Sequence, residues 1–98
     1  MEQSILANLM KHIVKRRGHT ELFDERKIYA GVYASCLAVR TPPGSAELTA
    51  EKITELVKHW LADKKEVTSS DIHRQAIKHL KMFNPDAAIL HETHRSLS

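Results

Sequence analysis

From Ile13 to Ile28 the chain reads IVKRRGHTELFDERKI. Lys15, Arg16 and Arg17 precede Gly18, and Glu21, Asp24 and Lys27 follow it. Arginine presents a planar fork of donors that matches phosphate oxygens, and lysine presents a mobile point charge. Carboxylates do not favour phosphate. They accept from sugar hydroxyls or an exocyclic amine, or bind a magnesium ion. Cations on a tight reversal with carboxylates a few residues on therefore suit a phosphorylated ligand. The plain alternative is a solvated basic edge that keeps a strand from pairing with other chains.

Two extended runs and a helix must position these groups. From His12 to Arg16 the pattern alternates, with Ile13 and Lys15 on one face and His12, Val14 and Arg16 on the other. Lys15 and Arg16 thus reach one phosphate together only through a twist or bulge. Gly18 permits the reversal, and Thr20 to Phe23 is the return strand. Asp24 is an N-cap with Glu25 in the first turn, where negative charge suits the helix dipole. The first helix is expected over 25–39, burying Ile28, Val32, Cys36 and Val39, with Tyr29, Tyr33 and Leu37 widening the stripe. Gly31 inside it costs about 1 kcal/mol against alanine unless a close neighbour needs the space.

Thr41-Pro-Pro-Gly-Ser45 reads as a loop. Thr49 is expected to cap a second helix over 50–63, with Ile53, Leu56, Val57, Trp60 and Leu61 on its apolar face. Residues 64–67 could supply a short strand. Thr68-Ser-Ser-Asp71 matches a capping box and opens a third helix over 69–82, burying Ile72, Ala76, Ile77 and Leu80. Thr68, Ser69 and His73 stand at its start, with His73 one turn in, within reach of a phosphate or base. Asn84-Pro85 starts a fourth helix, over 85–95. Strand, strand and four helices make an α+β class with the helices as the main layer. Residues 1–11 read as a lead-in of possible helical character, and residues 96–98 as a frayed tail.

The 98 residues suffice for one domain and one modest core. No run of about 18 apolar residues is present, which argues against a membrane-spanning helix. A single cysteine, Cys36, forms no internal disulfide and fits a reducing cytoplasm. A net charge of +3 suits a phosphate-bearing partner without arguing for nucleic acid, and only 5% aromatic residues leave little to stack bases on. Seven histidines invite a metal, and His91 and His94 lie one helical turn apart. No cysteine pair or second clustered carboxylate completes a tetrahedral set. No nucleophile–base pair or glycine-rich phosphate loop can be read, so catalysis lacks support.

Taken together, these residues resemble an ATP-cone, a nucleotide-binding regulatory domain. Ile13, Lys15, Arg16, Gly18, Glu21, Phe23, Asp24, Lys27 and Ile28 are similar to its opening motif. Val67-Thr-Ser-Ser-Asp-Ile72 resembles its later strand and helix start, and Ala87-Ala88 through Arg95 its closing helix. The resemblance spans residues 12–95. It implies a four-helix bundle capped by a small three-stranded sheet that includes the N-terminal β-hairpin, with ATP or dATP bound beneath the hairpin. It implies a site of Ile13, Val14, Lys15, Arg16, Glu21, Asp24, Lys27, Thr68, Ser69, His73 and Arg95, with Ile13 and Val14 walling the adenine and Glu21 and Asp24 near base and sugar. It also implies allosteric control of ribonucleotide reductase or of its bacterial repressor, through a reductase-related partner or a second copy, without hydrolysis.

The sequence departs from the family at Arg17, where an acidic or small polar residue is usual, and at His91 and His94, often aromatics. These departures motivate the alternative of a helical oligomerisation or interaction module that has lost its ligand. No cysteine pairs precede the domain, so the repressor's zinc ribbon is not expected. No reductase barrel follows Ser98, so the expectation is a free-standing ATP-cone or a fragment of a larger chain.

Overall fold

The computed structural model describes residues 12–14, 20–64 and 66–93. Its elements in chain order are β1 (His12–Val14), β2 (Thr20–Leu22), α1 (Glu25–Ala38), α2 (Pro43–Leu61), β3 (Glu66–Thr68), α3 (Ser69–Phe83) and α4 (Pro85–Thr93). The expected α+β class, with a three-stranded sheet as a capping layer, is corrected. Of the described residues over 23–93, 81% are helical, in four helices, and the one strand among them is the short β3, so the class is mainly α. On the backbone, β1 runs antiparallel to β2 and parallel to β3. These ladders are three residues long, too short to form a layer of their own beside helices of up to 19 residues. The lead-in 1–11, the tail 96–98, and Lys15, Arg16, Arg17 and Gly18 lie outside the described residues.

The core fills the space between the helices. Val32, Cys36, Ile53, Val57, Leu61 and Leu80 are fully buried, and Phe23 and Val67 join them from the segments leading into α1 and α3. The stripe expected on α3 is buried as read: Ile72, Ala76, Ile77 and Leu80. On α1, Leu37 does not widen the stripe; it is exposed, and the buried position beside it is Ser35. Trp60 and Tyr29 are half-buried against the core, and Lys64 sits 5.1 Å over the Trp60 ring.

Helix α2 begins at Pro43, well before the expected Ala50, and Thr49 is inside it rather than capping it. Proline is tolerated in a first turn, where its missing N–H has no intrahelical partner to lose. Ala46 and Ala50, four apart and both fully buried, carry the apolar stripe back to that start. The buried Thr54 hydroxyl is satisfied by donating to the Ala50 carbonyl at 2.7 Å. Helix α1 ends in a Schellman motif: Thr41 N–H donates to the Cys36 carbonyl and Arg40 N–H to that of Leu37, each at 2.9 Å. Arg40 takes the left-handed position, at φ 67°. Asn84 caps α4 by accepting from Ala87 N–H at 3.2 Å, and its amide donates to Thr41 Oγ1 at 2.8 Å, tying α4 to the end of α1.

Candidate nucleotide site

Register gathers three of the candidate segments. Ile13 stands opposite Glu21 on one side and Val67 on the other. Val14 stands opposite Thr20 and Thr68. Residues far apart in sequence thus meet across β1, which runs between β2 and β3, and its Val14–Thr68 end leads into α3. Phe23, buried directly after β2, ties the opposite, His12–Leu22 end to the core. The side chains of Lys15, Arg16 and Arg95 lie outside the described residues, and for Ile13, Val14 and Glu21 the backbone alone is described.

Asp24 is the α1 N-cap, accepting from Arg26 N–H at 3.0 Å. The Arg26 guanidinium also reaches both carboxylate oxygens, at 3.0 and 3.1 Å. That fork, and then the backbone bond, hold the Asp24 carboxyl below its ordinary range. A carboxylate offers about four lone-pair sites, so three bonds leave one for a sugar hydroxyl or a base. Arg26 is not among the expected site residues; its two-residue offset from Asp24 is the signal the sequence carries. Lys27 is exposed in the first turn of α1, its N–H donating to the Asp24 carbonyl at 3.1 Å.

The α3 start is built as the sequence suggested. Thr68 Oγ1 accepts from Asp71 N–H at 3.0 Å, and the Asp71 carboxylate accepts from Thr68 N–H at 3.2 Å. These bonds, with Arg74 beside them, keep the Asp71 carboxyl below its ordinary range. Thr68 and Ser69 are exposed. The dipole favours negative charge at a helix start, and the Asp71 carboxylate already supplies one here.

His73, one turn into α3, packs face to face with His91 of α4, the ring centroids 4.7 Å apart and tilted by 34°. His91 Nδ1 in turn hydrogen-bonds Ser35 Oγ of α1 at 3.1 Å. A Cβ built on Gly31 would lie 2.9 Å from His91 Cε1, so glycine leaves the notch that the ring enters. This is the close neighbour that justifies a glycine inside α1.

A concavity lies between α1 and α2, lined by Glu25, Arg26, Tyr29, Glu51, Thr54 and Glu55. Its three glutamates repel a triphosphate, and Lys58 answers two of them, at 2.7 Å from Glu25 and 3.3 Å from Glu55. Among the described residues no group of three or more histidine, cysteine or acidic side chains could hold a metal ion, and no helix is long and apolar enough to cross a membrane.

The arrangement is a small helical module whose candidate residues lie along the short backbone ladders and at the two helix starts into which those ladders lead. The family description of the ATP cone domain matches residues 11–94, and the chain belongs to that family. ATP-cones are nucleotide-binding regulatory domains rather than catalytic ones. Searches for similar curated proteins and for similar solved structures returned no match.

Proposed function

We propose that this chain binds ATP or dATP with residues of β1, of β2 and of the starts of α1 and α3, and uses occupancy to regulate a partner. Lys15, Arg16 and Lys27 hold the triphosphate, and Thr68 and Ser69 at the α3 start add hydroxyl donors. Arg95 adds a further cation from beyond α4. Ile13 and Val14 wall the adenine, Glu21 and Asp24 hold sugar and base, and His73 meets the nucleotide from α3. A magnesium ion beside the phosphates is the alternative use of these two carboxylates. The partner is a second copy or a ribonucleotide-reductase-related protein, and the site of action is the cytoplasm.

The observation that carries this reading is the register that aligns Ile13 and Val14 with Glu21 and with Val67–Thr68, within a chain that belongs to the ATP-cone family. A competing reading, an interaction module without a ligand, draws on the Arg26 fork that occupies both oxygens of Asp24. The double variant Lys15→Ala with Arg16→Ala separates the two. It should lower ATP affinity by more than about tenfold, since one charge-assisted contact contributes about 1.5–3 kcal/mol, while the circular dichroism spectrum stays unchanged. An unaltered affinity would remove the basic doublet from the site.

A further inference from the structure

His91 is the one side chain described that touches both α1 and α3 from α4 through an aromatic ring. Three observations fix where that ring lies. Gly31 leaves open the volume it fills, with Cε1 only 2.9 Å from where a Cβ would stand. Ser35, buried in α1, holds Nδ1 at 3.1 Å. The remaining face lies against the imidazole of His73, at 4.7 Å between centroids. A histidine one turn into a helix ordinarily samples several rotamers, and each must be given up when a ligand needs one of them. Here the His91 ring limits that freedom before any ligand arrives.

We propose that His91 is a positioning residue for nucleotide binding: clamped by Gly31 and Ser35, it presets the His73 ring in the orientation that meets the nucleotide. The inference rests on the reading of His73 as a nucleotide contact. It assigns α4 a direct part in affinity, because any movement of α4 on α1 carries the His91 ring and changes the support behind His73. Preorganisation of this kind strengthens binding by reducing what must be ordered on association.

The test is a double-mutant cycle read by ATP calorimetry on the full chain, using wild type, His73→Ala, His91→Ala and the double variant. If His91 acts through His73, His91→Ala weakens ATP binding about tenfold in the wild-type background and adds nothing in the His73→Ala background. A merely structural role, a loosened core, would weaken binding equally in both backgrounds and would overturn the proposal. So would unchanged affinity in His91→Ala or in His73→Ala. Ser35→Ala, which removes the hydrogen bond and opens little space, provides the same comparison should His91→Ala fail to fold. It is expected to weaken binding several-fold, again only where His73 is present. If wild-type protein gives no ATP heat, the nucleotide reading itself fails and this inference with it. If wild type binds and the cycle is additive, the positioning role alone fails.

Discussion

The imidazole of His91 occupies the space that a side chain at position 31 would need, its Cε1 lying 2.9 Å from the ideal Cβ of Gly31. Helix propensity alone favours Gly31→Ala by about 1 kcal/mol. Overpacking a held ring costs about 1–3 kcal/mol, and this ring is held by Ser35 and His73. Gly31→Ala should therefore destabilise the protein by about 1 kcal/mol in urea unfolding. In a His91→Ala background the same change should stabilise it, a reversal of sign. A loss of stability in both backgrounds would show that another neighbour sets the cost.

Arg40 adopts the left-handed conformation at the C′ position of α1, with φ 67°. An L-residue there costs about 1–2 kcal/mol that glycine does not incur. The loss is partly offset by the extra freedom of glycine in the unfolded chain. Arg40→Gly should raise stability by about 0.5–1 kcal/mol, seen as a higher midpoint in urea. A lower midpoint would mean that the Arg40 side chain stabilises the fold by more than its backbone costs.

Asp24 combines two roles that one pair of variants can separate. Asparagine caps a helix as well as aspartate does, and alanine does not. Asp24→Asn should keep the thermal midpoint near wild type, whereas Asp24→Ala should lower it. Both should weaken ATP binding if the carboxylate itself meets the ligand. Full affinity in Asp24→Asn would confine this residue to the cap.

Acid acts on the fold at two levels. Burial, and then the Lys78 charge, push the His79 imidazole below its ordinary value of 6.5. The unfolded chain therefore binds this proton first, and stability falls as pH drops below about 6.5 until the folded group titrates too. Asp71 has a depressed carboxyl, so its contribution is complete above its ordinary value of 3.8 and is lost as pH falls through the lower folded value. Thermal midpoints should decline in two separate ranges, and His79→Gln should flatten the upper one. An upper decline that survives His79→Gln would assign it to another histidine.

Local chemistry was readable from the chain and distant packing was not. The caps at Asp24, at Thr68 with Asp71, and at Asn84 before Pro85 each use partners two or three residues apart, and each forms as read. The α3 stripe needed only its own spacing. The start of α2 was hidden because Pro-Pro-Gly reads as a loop, although the buried pair Ala46 and Ala50 continues the helical spacing. The sheet was overstated because short alternating runs do not disclose how few residues pair. The His91 clamp was out of reach, since Ser35 and His91 are 56 residues apart and neither type signals a partner. What the sequence did offer was the anomaly of a glycine inside a helix, whose explanation is the ring it admits.

The most direct test is calorimetric titration of the wild-type chain with ATP, dATP and GTP in turn. Saturable heat with ATP or dATP at millimolar concentration or below, and weaker binding of GTP, is the predicted result. No saturable heat with either adenine nucleotide would contradict the assignment of a nucleotide site around β1.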